Sequence, residues 1–268
     1  MNEPELRFGG IARLYTAEGL QRLRQARVCV IGLGGVGSWA AEALARSGVG
    51  FITLIDLDDV CVSNVNRQLQ ALDGAIGQPK AEVMAARIRA INPACQVRAI
   101  QEFFNESTAN EILAAPFHWV LDAIDQVPNK CLLISQCRQK QIPIIASGGA
   151  GGRKDPSRVR VADLGQTAHD PLLQQVRKRL RDEHSFPRDP KTTFQVPCVF
   201  SPEPPVFPPD CDADSPRGCD HRYGTASFVT GTFGFVAAAH IVSAIAIGNG
   251  YGTRGIDRAK QLPKDIIL

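Results

Sequence analysis

The feature that most constrains this chain is the run GLGGVG at 32–37. It follows an apolar segment, RVCVI at 27–31, and precedes SWAAEALARS at 38–47, which has helical periodicity and stops at Gly48. Strand, glycine turn and helix in that order are the context in which G-x-G-x-x-G has meaning. Gly32, Gly34, Gly35 and Gly37 let the backbone approach a phosphate closely, and the helix N-terminus points free N–H groups at the anion. FITLID at 51–56 is a second strand, and its last residue, Asp56, stands 19 residues after Gly37. A carboxylate there can accept hydrogen bonds from ribose hydroxyls. The bland reading, a tight turn that only packs helix on strand, makes the agreement of strand, turn, helix and acid a coincidence.

The same alternation continues. Residues 80–91, 108–115 and 129–140 have helical patterns, while 96–100, 119–123 and 143–146 are short apolar runs expected to be strands. This predicts an α/β fold with a doubly wound, mostly parallel, Rossmann-like sheet. Ahead of it, residues 1–26 read as a helical arm, with Leu14, Leu20 and Leu23 on one face. Behind it the character changes at GGAGG, 148–152. RVRVAD at 158–163 is a further strand candidate, and 171–182 a helix with Leu172, Leu173, Val176 and Leu180 on one side and Arg177, Lys178, Arg179 and Arg181 on the other. Residues 185–220 are rich in proline, without periodicity, and read as an unusually long loop. Residues 226–247 are the most apolar stretch; length alone allows a membrane span. Gly231, Gly234, Thr230, Thr232, His240 and Ser243 interrupt it, so a helix buried on all sides is expected and membrane attachment is not.

With 44% hydrophobic and 21% charged residues over 268 positions, the chain can bury a sizeable core, which excludes global disorder. A net charge of +3 neither demands nor excludes a nucleic-acid partner. The eight cysteines form no CxxC pair, so zinc is not expected. Several sit inside apolar runs as reduced thiols do, and residues 1–10 carry no signal-peptide core, which together fit a cytoplasmic protein.

Charge decides which nucleotide is bound. The turn can largely satisfy a dinucleotide's pyrophosphate; ATP brings more negative charge and requires cations. Downstream lie Asp58, then SNVNRQ at 63–68, then GQPK at 77–80. Arg67 offers a planar fork and Lys80, near a helix start, a point charge, both suited to phosphate oxygens. Asn66 and Gln68 add neutral donors, and Asp125 stands just past the fourth strand, at the edge where ligands of such folds bind. Taken singly, each is the kind of residue found on any solvated surface. In this order they point away from a dehydrogenase.

The run 27–125 resembles the adenylating domain of the ubiquitin-activating superfamily, which includes the molybdopterin- and thiamine-pathway adenylyltransferases. GLGGVG at 32–37, DLDDV at 56–60, SNVNRQ at 63–68, GQPKAE at 77–82, INP at 91–93 and DAID at 122–125 carry the resemblance. It implies that Asp56 holds the ribose of ATP, that Asn66, Arg67, Gln68 and Lys80 contact the phosphates, that Asp58 helps place Mg2+, and that Asp125 serves the metal or the nucleotide. Gln126 departs from a pattern that has Asn or Ser there. The resemblance further implies one adenylating domain over 27–268, with 148–268 facing the substrate and a dimer partner. It also implies a homodimer in which an N-terminal arginine crosses to the other subunit's ATP. Arg13, in RFGGIARLY at 7–15, is the candidate and Arg7 its competitor, against the bland reading of a surface arginine on an amphipathic helix.

RFGGIARLY, SWAAEALARSG at 38–48, SGGAGG at 147–152, DPL at 170–172, CVFS at 198–201 and FVTGTFGFVAA at 228–238 resemble one branch of that superfamily, the tRNA threonylcarbamoyladenosine dehydratases. That branch implies ATP-dependent adenylation of the threonine carboxylate on a modified adenosine at position 37 of tRNA, then cyclisation with net loss of water. The attacking atom belongs to the same modified base. Residues 153–191 hold ten Lys or Arg against six Asp or Glu, so VRKRLR at 176–181 could meet tRNA phosphates, although a solvated helix face gives the same pattern. Cys219 aligns with the superfamily's loop cysteine; it is either an acyl-accepting nucleophile or an incidental thiol, and Cys211 is a weaker candidate. Whether a monovalent cation joins ATP and Mg2+ is left open. A cysteine-desulfurase or sulfur-acceptor partner rests on family analogy alone. Two alternatives stand beside this reading: an adenylyltransferase for the C-terminus of a ubiquitin-like or sulfur-carrier protein, and a nucleotide-binding scaffold without turnover.

Overall fold

The computed structural model describes residues 3–207 and 223–248. Their strands are β1 (Arg27–Ile31), β2 (Phe51–Ile55), β3 (Gln96–Ile100), β4 (Trp119–Asp122), β5 (Ile144–Ser147), β6 (Arg160–Asp163) and β7 (Pro197–Phe200), joined in one sheet of order β3-β2-β1-β4-β5-β7-β6. All neighbours are parallel except β6 and β7. The winding reverses between β1 and β4, so their carboxyl ends part at a crevice, the place where such sheets take ligands. Register puts Ile31 level with Ile55 on one side and Asp122 on the other, so β1, β2 and β4 end together.

The helices are α1 (Glu3–Gln25), α2 (Gly37–Arg46), α3 (Lys80–Ile91), α4 (Ala109–Ile112), α5 (Val127–Gln139), α6 (Pro171–Glu183) and α7 (Ser227–Ile247). Because side chains alternate along a strand, β1 feeds two cores. Val28 and Val30 pack with Leu44, Met84, Phe233 and Ile241 on one face, and Cys29 and Ile31 with Leu133, Ile134, Val176 and Leu180 on the other.

By length and composition α7 could cross a membrane. Here Val229, Phe233, Ala237 and Ile241 are buried against the sheet and α2. Gly234 makes that approach possible: a Cβ there would stand 2.6 Å from the Val36 carbonyl and 2.8 Å from the Ala40 nitrogen.

Three expectations need correction. Residues 185–220 are not one loop, because β7 lies inside them and pairs with both β5 and β6. It is four residues long and two-sidedly buried, so it has no alternation to read. The helix expected over 108–115 is a single turn, α4. The arm is not one amphipathic helix: α1 breaks at Thr16 (φ 69°, ψ 168°), whose Oγ1 accepts the Gly19 N–H at 3.2 Å and caps the second half. The break takes Leu14 out of line, so it is 76% exposed while Leu20 and Leu23 are buried. The arm is tied to α7 by Tyr15 Oη and Ser243 Oγ at 2.9 Å and by Arg22 Nε donating to the Ala246 carbonyl at 2.9 Å.

Candidate nucleotide site

The glycines of 32–37 divide their work. Gly32 has φ +89°, and a Cβ there would lie 2.8 Å from the Ala123 carbonyl oxygen; at Gly37 it would lie 1.8 Å from the Gly32 carbonyl. Those two close the turn. Gly35 sits against Thr230 of α7, whereas a Cβ on Gly34 would meet nothing within 4 Å among the described residues. No side chain caps α2 at Val36, which leaves its N-terminus to an anion.

Asp56 is bonded to the turn. Its Oδ2 accepts the Leu33 N–H at 2.6 Å and its Oδ1 the Asp58 N–H at 2.9 Å. Burial pushes its carboxyl above the usual range, against the pull of the Leu33 N–H and the Lys80 charge. Lys80 opens α3 and is buried along its stem, with Nζ 2.8 Å from Asp58 Oδ2; that carboxylate is itself largely in solvent. Lys80 also donates its backbone N–H to the Asp58 carbonyl at 3.0 Å, so the two are held as a unit.

The segment 66–68 is pinned from behind. The Arg67 carbonyl accepts from Trp39 Nε1 at 3.0 Å and Thr230 Oγ1 at 3.3 Å, which leaves the half-buried guanidinium in front, bonded to the Ser63 carbonyl at 2.8 Å. Asn66 donates to the Thr225 carbonyl at 2.9 Å. Gln68 is buried and accepts from Gln70 Nε2 at 3.3 Å. Gln70, which sequence reasoning missed, also donates to the Leu33 carbonyl at 2.7 Å and so joins this segment to the glycine turn. Asp125 is exposed at the end of the turn that leaves β4. Behind it lies a second omission: Asp122 and Lys130, both fully buried, with Nζ 3.0 Å from Oδ1. A charged residue closing the apolar run WVLD was the available signal.

The turn, Asp56, Asp58, 66–68, Lys80 and Asp125 therefore share one sheet edge. Within one chain Arg13 is not among them; it is exposed on α1, with Nη1 beside Gly9. Arg7 donates to the Ile91 carbonyl at 2.8 Å, at the far end of α3. Cys211 and Cys219 lie outside the described residues. Cys29, Cys95, Cys131, Cys137 and Cys198 are buried, and burial pushes the Cys131 thiol up to about 12 and Cys95 to about 11, the condition of unreactive thiols.

The basic run of α6 is not an open patch. Arg177 turns to Thr167 Oγ1 at 2.5 Å, Arg179 pairs with Glu183 at 2.7 Å, and Arg181 donates to the Pro187 carbonyl at 3.1 Å while lying over Phe194. Lys178 is exposed.

A glycine turn, a carboxylate bonded to it and a lysine at one edge of a doubly wound sheet are the layout of a nucleotide-binding site, and the ThiF family model matches residues 10–260. The chain belongs to the ThiF family. It is 48% identical over 241 residues to the tRNA threonylcarbamoyladenosine dehydratase of Haemophilus influenzae, covering 89% of this chain and 92% of that one. Identity to the Escherichia coli enzyme of the same name is 47%, over 87% of this chain and 91% of that one. The crystal structure of the E. coli dehydratase in complex with ATP superposes with a TM-score of 0.83 at 46% identity, covering 90% of this chain and 94% of that one.

Proposed function

We propose that this chain is an ATP-dependent tRNA threonylcarbamoyladenosine dehydratase. The observation that carries the reading is the Leu33 to Asp56 hydrogen bond: it locks the glycine turn to the carboxylate one strand away, in a fold shared with an E. coli relative that was solved in complex with ATP. In this reading Asp56 accepts the ribose hydroxyls and the α2 N-terminus, with Gly34 in front, takes the phosphates. Arg67 and Lys80 neutralise charge that builds on phosphorus, Lys80 turning from Asp58 to the nucleotide, while Asn66 and Gln68 line the phosphate path.

The threonine carboxylate oxygen attacks the α-phosphorus and displaces pyrophosphate. A nitrogen of the same modified nucleoside then attacks the activated carbonyl carbon, expels AMP and loses a proton, closing the ring. The site supplies alignment and charge neutralisation; the substrate supplies both the carboxylate and the nucleophile. Asp58 and Asp125 are hard oxygen donors of the kind Mg2+ takes beside phosphates, and the ion would add positive charge there.

The functional unit is proposed to be a cytoplasmic homodimer. Arg13 of each subunit serves the other subunit's ATP, since Arg7 is already engaged by the end of α3. The single domain runs from 27 onward, and its part after 148 faces tRNA and the partner subunit. A sulfur-acceptor protein is a further partner by analogy only. The test is mass spectrometry of nucleosides from threonylcarbamoylated tRNA incubated with the protein and ATP. A loss of one water from the modified adenosine is expected; unchanged nucleoside across several tRNAs would sink the reading.

A further inference from the structure

The buried pair Asp122 and Lys130 asks for an explanation, because two charges with no exposure at all are costly to keep and rarely the most stable filling for a core. The bonds around it show what it holds. Lys130 reaches back from α5 and donates through Nζ to the Ile124 carbonyl at 2.8 Å and toward the Asp122 carbonyl at 3.4 Å, besides pairing with Asp122 Oδ1. Asp122 Oδ1 in turn accepts the Ile124 N–H at 3.0 Å. Between them, the Ala123 N–H is given to the Ile31 carbonyl at 2.9 Å, and the Ala123 carbonyl fills the space that a side chain on Gly32 would need. Ala123 is thereby fixed against the end of β1 and the glycine turn, Ile124 is held by Asp122 and Lys130, and the next residue is Asp125, the exposed carboxylate. Among the described residues the second oxygen of Asp122 has no hydrogen-bond partner, so the turn and the ammonium orient the carboxylate.

We infer that Lys130 is a positioning residue: its ammonium, seated on Asp122, pegs the 122–125 turn and so sets the position of the Asp125 carboxylate relative to the phosphates cradled at 32–37. The inference rests on the adenylating reading of Asp125 given above. It explains why the pair is ionic, where well-packed apolar residues would fill the same space. One ammonium can bond two carbonyls and a carboxylate at once, and an aliphatic side chain can bond none of them.

Lys130→Met alone strands a buried carboxylate, so the test is the neutral double variant Asp122→Asn/Lys130→Met, with Asp125→Ala beside it. ATP–pyrophosphate exchange is measured with threonylcarbamoylated tRNA across a Mg2+ titration. The double variant is expected to melt within a few degrees of the parent and to bind ATP without Mg2+ within about threefold of it. Its exchange kcat should fall roughly 10- to 100-fold, the scale of an ångström-sized misplacement, at little-changed KM for ATP, and its half-saturating Mg2+ concentration should rise. A folded double variant with parental kcat and parental Mg2+ dependence overturns the inference while a dead Asp125→Ala leaves the adenylating reading standing. An Asp125→Ala protein that exchanges normally removes the role given to Asp125 and the peg with it, while the exchange itself upholds adenylation by the chain. Should the double variant not fold, Asp122→Asn/Lys130→Gln decides instead, because both groups stay neutral and the shorter amide keeps a donor yet falls short of the Ile124 carbonyl. A drop in kcat at unchanged ATP affinity upholds the peg, and parental kcat overturns it.

Discussion

Lys80 shows why burial and function are separable at one residue. Its stem is buried while its ammonium bonds a carboxylate that is 57% exposed, so removing the side chain leaves no charge stranded in the core. Lys80→Ala should therefore stay folded, with a melting temperature within a few degrees of the parent. Its ATP–pyrophosphate exchange should fall about 10²- to 10³-fold, the usual loss for one group that stabilises transition-state charge. Calorimetric melting and radiolabel exchange on the same preparation check both halves. Cys219 gives the contrasting case. If the nucleoside supplies its own nucleophile, Cys219→Ser retains most of the cyclised product, and complete loss of product in that variant would restore a thioester route.

At the scale of the element, the glycine turn predicts two different failures from the same chemical change. Gly37→Ala places a methyl 1.8 Å from the Gly32 carbonyl, so strand and helix must part; lower thermal stability and lost ATP binding are expected together. Gly34→Ala meets nothing within 4 Å among the described residues and needs no left-handed backbone, so the melting temperature should hold while ATP affinity drops about tenfold or more, by isothermal titration. The turn was legible because its partners are neighbours in sequence: RVCVI, GLGGVG and the alternation through 147 announce β1 to β5 in order. What lay hidden depends on contacts across the chain or on breaks of period. PCVF is a strand only because β5 and β6 flank it. Leu14 is exposed because Thr16 interrupts the helix that its spacing implied. Arg153 and Asp170, 3.2 Å apart and both buried, fix the GGAGG loop to the start of α6, and neither motif names the other. The same holds at the site: Asp56, Arg67 and Lys80 stand inside ordered motifs, whereas Lys130 is a lysine in an ordinary helix until the fold closes on it.

At the scale of the whole molecule, α7 has two faces with different consequences. Its outer residues Phe228 and Phe235 remain exposed, with Phe235 edge-on to Trp39 at 5.8 Å, directly beside the helix that follows the glycine turn. If that face joins two subunits, Phe235→Asp should halve the mass seen by light scattering and also depress exchange, because each site would lose the partner's arginine. Its inner face carries His240, edge-on to Trp119 of β4 at 5.4 Å, with no hydrogen-bond partner for Nε2 among the described residues, and burial pushes its pKa down to about 4. An unfolded chain protonates this residue near 6.5, the folded one only near 4. The neutral ring thus contributes its full stability above pH 6.5, and the contribution drains away as the pH falls from 6.5 toward 4, by at most about 2 kcal/mol at pH 5. The raised carboxyls of Asp56 and Asp122 work the other way, since the folded state takes up their protons first on acidification. The net slope therefore belongs to several groups, and the histidine is isolated only by difference. His240→Phe keeps a ring against Trp119 and removes the titration. The gap in melting temperature between pH 7 and pH 5 should be smaller in that variant than in the parent by about 4–8 °C, and equal gaps would show that His240 charges freely inside the fold.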